Sequence, residues 1–189
     1  MTTDLIRLLD LAERLGNLAE ARLKTLGARH GLQSVHVRVL LYLAAANRYS
    51  NTPLALGEYL GLTKGTVSQS LILLENKGFL SRAADAHDRR VVRLALAPAG
   101  RAVVEEAEKV GHLRAAAAEA RAGLLDDLTG LLRQLQILEG RRSFGQCRTC
   151  RHHLAEGRGR WRCGLTGESL SRAEGEQICR EHESVDIGQ

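Results

Sequence analysis

All four cysteines of this 189-residue chain lie between Cys147 and Cys179, close to its C-terminal end. The segment around them, residues 141–189, is rich in glycine and arginine and lacks the apolar periodicity of a helix. A segment of this size gains too little from apolar burial to be stable alone. The cysteines therefore indicate a separate module that depends on what they bind.

The rest of the chain argues against an oxidising compartment. No run of about 18 apolar residues is present, and the most apolar stretch is interrupted by His36 and Arg38. The first ten residues include Asp4 and lack the apolar core of a signal peptide. We therefore expect a cytoplasmic protein, in which clustered cysteines are more often metal ligands or redox groups than disulfides.

The cysteine spacing leaves two ligand sets open. Two residues separate Cys147 from Cys150, and such a turn directs both sulfurs toward one point, as zinc and iron–sulfur sites require. Adding Cys163 and Cys179 uses every thiol. A zinc site could instead combine the first pair with Cys179 and His182, but Cys163 would then be unused. The four-cysteine set is favoured for that reason.

The module also resembles known iron–sulfur domains. The segments that carry the resemblance are 147–153, Trp161 to Cys163 and Cys179 to Glu183. Their spacing is similar to that of high-potential iron–sulfur proteins and of the small iron–sulfur subunits of some glycyl-radical enzymes. The resemblance implies a 4Fe–4S cluster. Zinc is the alternative, although zinc ribbons usually contain two Cys-x2-Cys pairs and this chain has one.

The first 140 residues predict a mainly α fold with one small β-hairpin. Apolar residues recur at helical spacing in residues 1–30, and Gly27 and Gly31 are expected to end that helix. The further predicted elements are helices at 34–46, 53–60 and 64–76, strands at 79–83 and 91–96, and helices beginning at Pro98 and near Leu124. Ser34 and Thr63 are the expected caps of their helices.

Two short helices followed by a hairpin form a winged helix-turn-helix, whose second helix enters the major groove of DNA. Between Gly61 and Arg93 there are six Lys and Arg against three Asp and Glu, and the whole chain carries a net charge of +5. Aromatic residues make up only 3 %, which argues against recognition by base stacking. The candidate DNA contacts are Thr63, Lys64, Gly65, Thr66, Ser68, Gln69, Arg82, His87, Arg89 and Arg90.

The segments Leu62 to Ser68, Leu74 to Leu80, Asp85 to Arg90 and Leu94 to Gly100 resemble the MarR family of bacterial regulators. The resemblance covers about residues 1–140 and implies a homodimer on a pseudo-palindromic operator, with intertwined first and last helices. The apolar stripes of those helices agree with this. Ala97 replaces a usual Thr, and Gln69 replaces the Arg of many members.

We therefore expect an N-terminal dimerisation helix (1–30), a winged helix-turn-helix (31–97), C-terminal dimerisation helices (98–140) and a metal module (141–189). The predicted function is a sequence-specific transcriptional regulator, a repressor, with an iron–sulfur cluster that senses redox state or iron. Two alternatives stay open: a MarR-type repressor with structural zinc and a small-molecule effector, and an iron–sulfur scaffold that does not bind DNA. The sequence contains no enzyme motif.

Overall fold

The computed structural model describes residues 2–86, 88–109, 123–157 and 159–185. The first part contains α1 (Thr2–Arg29), α2 (Ser34–Ala45), α3 (Pro53–Leu60), α4 (Lys64–Asn76), β1 (Leu80–Ala84), β2 (Val92–Leu96), α5 (Pro98–Glu108) and α6 (Leu124–Leu138). The predicted mainly helical fold with one hairpin is thus confirmed. The predicted continuation of α5 beyond Lys109 falls on residues 110–122, outside the described residues.

Helices α2 to α5 pack around one apolar core together with the hairpin. α2 contributes Val37 and Leu40, which are fully buried, and α4 contributes Leu71 and Leu74 on one face. β1 and β2 pair antiparallel, and Leu94 of β2 faces the same core. The apolar spacing in the sequence therefore marks the buried face of each element.

Local geometry explains where the helices end. Gly61 ends α3 with φ of 65°, a left-handed conformation that favours glycine, and the Thr63 side chain caps α4 by accepting from Thr66 N. Two predictions were wrong. Gly27 does not end α1, which continues to Arg29, and Gln33 rather than Ser34 precedes α2 as its cap residue. The Ser34 hydroxyl donates to Glu20 of α1 instead, at 2.6 Å.

Helices α1 and α6 keep apolar faces in solvent within the single chain. Both helices are amphipathic, as their sequences predicted, yet the described part of the chain covers little of either face. The exposed residues are Leu5, Ile6, Leu8, Leu9, Leu11, Leu15 and Leu18 of α1 and Leu124, Leu125, Leu128, Leu131, Leu132, Leu135, Ile137 and Leu138 of α6. Apolar surface of this extent marks an interface. Among the described residues, no helix is long and apolar enough to cross a membrane.

The C-terminal segment is built from short strands that the sequence did not predict. Its elements are β3 (Gly145–Gln146), a 3-10 turn (Cys147–Thr149), β4 (His153–Gly157), β5 (Arg160–Cys163), β6 (Ser169–Leu170), α7 (Arg172–Gly175) and β7 (Ile178–Cys179). β3 pairs antiparallel with β7, and β4, β5 and β6 form a three-stranded sheet. Strands of two to five residues are too short for a clear apolar alternation.

Candidate nucleic-acid interface and cysteine centre

Helix α4 presents a polar face to solvent. Because Val67 and Leu71 are buried in the core, the opposite side of the helix carries Gly65, Ser68 and Gln69, all exposed. Of the other predicted contacts at this end, Thr63 and Lys64 are exposed and Thr66 is half-buried. The hydroxyls of Thr63 and Thr66 are 2.9 Å apart and serve the cap. The free amides at this N-terminus suit a phosphate.

The tip of the hairpin, here called the wing, is organised by two carboxylates. Asp88 accepts from Arg90 through both guanidinium nitrogens, at 3.0 and 2.9 Å, and Asp85 accepts from Arg93 Nε at 2.6 Å. The ion pair with Arg90 lowers the pKa of Asp88. Arg89 is exposed, and no described carboxylate lies within ion-pair distance of it. The carboxylates thus hold two arginines of the wing in place.

Two further predicted contacts have different outcomes. Arg82 on β1 is exposed and forms an ion pair with Glu75 of α4, which fixes the hairpin against that helix. His87 lies outside the described residues. The structure thus places the described candidates on one strand, one helix and one loop that adjoin each other, and their contacts with DNA stay predictions.

The cysteines converge through the pairing of short strands. Cys147 begins the 3-10 turn and Cys150 follows it, while β3, just before the turn, pairs with β7, which ends at Cys179. Cys163 ends β5 and lies opposite His153 of β4. Cys147, Cys150 and Cys179 are buried, and Cys163 is half-buried. All four sulfurs are unpaired thiols.

Backbone hydrogen-bond donors lie beside two of the sulfurs. The backbone N–H of Glu183 donates to Cys150 Sγ at 3.4 Å, and the backbone N–H of Glu181 donates to Cys179. Burial, together with the nearby charges of the other three cysteines, raises the pKa of Cys147 to about 12. Within the described ranges, no three His, Cys, Asp or Glu side chains form a group arranged to hold a metal ion.

The histidine nearest a cysteine sulfur is not His182, the alternative zinc ligand that the sequence suggested. His182, the alternative zinc ligand, is buried against Gly145, and its Nε2 lies 2.9 Å from Thr149 Oγ1. Its Nδ1 is buried and has no partner among the described residues. The histidine beside a sulfur is His153, whose Nδ1 is 3.5 Å from Cys147 Sγ. His152 and His153 are both half-buried.

The cysteine module contacts the winged helix-turn-helix of its own chain. The contact lies between residues 46–52, here called the α2–α3 loop, and the segment around β7. Asn47 N donates to Ile178 O at 2.9 Å, and Arg180 N donates to Ser50 Oγ at 2.8 Å. Ala46 and Ile178 form a parallel bridge. These bonds join residues separated by about 130 positions, so no local sequence signal predicted them.

Side chains extend this contact on both sides of the loop. Arg180 binds Glu58 of α3 through two nitrogens, at 2.5 and 2.8 Å, and this lowers the pKa of Glu58. Arg48 donates to Ser169 O at 2.6 Å. Phe144 packs edge-on against Tyr59 of α3, with ring centroids 5.1 Å apart. The aromatic residue before the first cysteine thus anchors the module to the winged helix.

A cleft of about 830 Å³ lies beside α4. It is lined by residues of α3 and α4, by Arg82 and by the linker 140–142 that precedes the module. Lys64, Arg141 and Arg142 give its wall a positive charge, and Glu58 is the acidic residue of the lining. The linker therefore passes next to the helix that carries the candidate DNA contacts.

Comparison with known proteins identifies the fold. Residues 30–91 match the MarR family profile. The crystal structure of transcriptional regulator PA3341 is 27 % identical and superposes with a TM-score of 0.59 over 71 % of this chain and 99 % of that one. Streptococcus pneumoniae FabT in complex with DNA is 24 % identical, with a TM-score of 0.54 over 72 % and 98 %. A search of curated proteins found no match. The chain thus has a MarR-type winged-helix fold, as predicted.

The Arg180–Glu58 pair generates a test of the contact between module and winged helix. Replacing Arg180 with Gln removes both charge-assisted bonds, so we expect faster hydrogen exchange at the Asn47 amide, which Ile178 O protects. A double-mutant cycle with Glu58→Gln in urea unfolding should give a coupling of about 1 kcal/mol, because the pair is only partly buried.

Arg162→Gln is the matched control for this cycle. It breaks an ion pair with Glu156 of 2.7 Å that lies wholly within the module. Asn47 exchange should stay at the wild-type rate in this variant. Equal exchange in Arg180→Gln and wild type, with no coupling to Glu58, would contradict the contact.

Proposed function

We propose that this protein is a DNA-binding transcriptional regulator of the MarR type that acts as a repressor. The observation that carries the proposal is the exposed face of α4 next to an arginine-tipped wing on a MarR-type fold. A helix of this kind enters the major groove, and a basic wing reaches the adjacent minor groove. The DNA complex of FabT, which shares the fold, supports this use of it.

The exposed side chains suit distinct parts of a duplex. Gln69, at the centre of the polar face of α4, carries the donor and acceptor that pair with adenine. Lys64 and the amides at the start of α4 suit phosphate oxygens, which position the helix without reading sequence. Arg89 is free to enter a narrow minor groove, while Arg90 is held by Asp88.

Two substitutions separate base reading from charge attraction. On a duplex selected from a random pool, Gln69→Ala should weaken binding by about 1–3 kcal/mol and relax the preference at one base pair. Arg89→Ala should weaken binding to all duplexes and reduce the salt slope of log K by about 1. Arg7→Ala on α1, a control with the same charge change, should retain wild-type affinity. A wild-type chain with no salt-dependent DNA binding would contradict the proposal.

We infer further that two copies of the chain form the DNA-binding unit. The exposed apolar faces of α1 and α6 provide a large surface for a second copy. A two-fold axis would place the two α4 helices in successive major grooves, about 34 Å apart, on a pseudo-palindromic operator.

The apolar face of α1 can be tested directly. Leu8 and Leu15 lie two turns apart on one side of the helix, and both are exposed. Replacing both with Lys places two charges in the proposed interface, so we expect at least a tenfold weaker dimer in sedimentation equilibrium. Asn17→Lys, on the opposite side, should leave the dimer intact. A wild-type monomer at micromolar concentration would refute the dimer.

We also propose that the four cysteines bind an iron–sulfur cluster of the 4Fe–4S type. The backbone N–H groups of Glu181 and Glu183 already donate to two of the sulfurs, as is common for thiolates that ligate metals. The Nε2 atom of His182 is engaged by Thr149, whereas the four-cysteine set uses every thiol of the chain. When bound, such a cluster supplies a change of charge on oxidation or loss, which is the chemistry of a redox or iron sensor.

Through the contact between the module and the α2–α3 loop, a change at the cysteines would affect the part of the protein proposed to bind DNA. The same loop holds the wing: Arg93 donates to Arg48 O at 2.6 Å and to Asn51 Oδ1 at 3.1 Å, and Leu94 N donates to Asn51 O at 2.8 Å. Release of β7 from the loop would therefore alter the support of the wing.

Metal content and DNA affinity test the sensor together. Because the proposed cluster is of the 4Fe–4S type, protein purified without oxygen should contain about four iron and four sulfide ions per chain. It should contain little zinc. Cys163→Ser should lose most of the iron, and His182→Ala should retain it. Air exposure and Cys163→Ser should both change affinity for the selected duplex.

Two results would overturn parts of this assignment. Stoichiometric zinc without sulfide, retained in Cys163→Ser but lost in His182→Ala, would establish the zinc site instead. Equal DNA affinity of the anaerobic, air-exposed and Cys163→Ser proteins would leave a structural centre without a sensing role.

A further inference from the structure

The linker before the cysteine module runs along the same cleft as two of the predicted DNA contacts. Lys64 and Ser68 of α4 line this cleft, and so do Arg141 and Arg142 of the linker. Both arginines are exposed. They lie outside residues 30–91, the range that matches the MarR family profile. The linker therefore brings charge to the predicted DNA-binding side of α4 from a part of the chain that the family match does not include.

The charge of the cleft favours an anionic partner. Glu58, the acidic residue of the lining, is bound through both carboxylate oxygens by Arg180, at 2.5 and 2.8 Å. Positive charge therefore predominates along the cleft. The basic residues of the lining are Lys64, Arg82, Arg141 and Arg142.

The ion pairs of the linker arginines leave donors for such a partner. Arg141 Nε lies 2.9 Å from a carboxylate oxygen of Glu139, and Arg142 Nη1 lies 2.9 Å from one of Glu181. All four side chains are at least 44 % exposed, so these pairs are weak. A guanidinium carries several N–H donors, and those not used by the glutamate can bind a phosphate oxygen.

The linker is anchored on both sides of its arginines. The backbone N–H of Arg141 donates to Gln136 O of α6 at 2.8 Å. Beyond Arg142, Phe144 packs against Tyr59 of α3, with ring centroids 5.1 Å apart. Because the segment is already held against the winged helix, ordering it on binding costs little entropy.

Helix-turn-helix geometry places a DNA strand at this cleft. When the second helix of the motif lies in the major groove, the first helix crosses the sugar-phosphate backbone. Those helices are α3 and α4, and residues of both line the cleft. We propose that Arg141 and Arg142 bind phosphates of the DNA strand that crosses α3. This inference rests on the proposed DNA-binding function and adds to it a contact from the linker of the cysteine module.

Salt dependence tests these phosphate contacts. Neutralising two phosphates contributes about 1.8 to the slope of log K against log salt, so the double variant Arg141→Gln, Arg142→Gln should lose about that much slope. Raising the salt from about 50 to 200 mM should therefore weaken its binding to the selected duplex about tenfold less than that of the wild type. Its base preference should be unchanged, because phosphate contacts do not read sequence. Replacing both arginines with Lys keeps the charge and should restore most of the slope.

The double variant Arg151→Gln, Arg162→Gln is the matched control. Both of these side chains are exposed and paired with a glutamate, and neither lines the cleft. The control changes the net charge equally and should keep the wild-type slope. In a second measurement, uncharged methylphosphonates replace single phosphates of the duplex. They should weaken wild-type binding at positions where the Arg141→Gln, Arg142→Gln protein is insensitive.

Three results would count against the linker contact. An unchanged slope in the Arg141→Gln, Arg142→Gln protein, an equal loss in the control, or a relaxed base preference would overturn the inference. Each of them would leave the proposed DNA-binding function standing. A wild-type chain with no salt-dependent DNA binding would overturn both.

Discussion

The arrangement of the whole chain depends on hydrogen bonds between the α2–α3 loop and β7. Ser50 is fully buried and Asn47 nearly so, which is unusual for a loop, because buried polar groups need partners. Tyr42 satisfies one of them by donating to Ser50 O at 2.7 Å from within α2. The backbone of Ile178 accepts from Asn47 N, and the backbone of Arg180 donates to Ser50 Oγ. The loop is thus completed only by a segment that lies far away in sequence.

This dependence links three parts of the molecule that have separate roles. The loop receives β7 on one side and supports the base of the wing on the other, through Arg93 and Leu94. Arg93 is itself held by Asp85 at the wing tip. A displacement of β7 would leave buried polar groups of the loop unpaired, and the loop would have to rearrange to satisfy them. Such a rearrangement would change the position of the wing while the packing of the helical core stays the same.

The sequence predicted the winged helix well because its signals are local. Apolar spacing marked α2 to α5, Gly61 and Thr63 marked the boundary between α3 and α4, and the strand positions were correct to within one residue. It also placed Gln69 on the exposed side of α4, because Val67 and Leu71 define the buried side. These predictions rest on residues within one or two turns of each other.

The predictions that failed or were missed concern contacts between distant segments. Phe144 lies three residues before Cys147, and nothing in its local sequence predicts that it packs on Tyr59. The half-burial of His153 depends on β4 pairing with β5, for which short strands give no pattern. Asn47 carries no motif at all. Its backbone contact with Ile178 depends on pairing across about 130 residues.

The exposed ion pairs of the cysteine module contribute little to its stability. Arg148, Arg151 and Arg162 each form an ion pair with a glutamate, and all of these side chains are largely exposed. Exposed pairs contribute little, about 0–1 kcal/mol each. Their arginines are also neutralised locally, so the donors nearest the sulfurs are uncharged N–H groups. The loop contact therefore contributes more to holding the module than these ion pairs do, and the proposed metal centre would add to it. The proposed ligand Cys179 lies between Ile178 and Arg180, which hold the module to the loop, so we expect metal binding and docking of the module to stabilise each other.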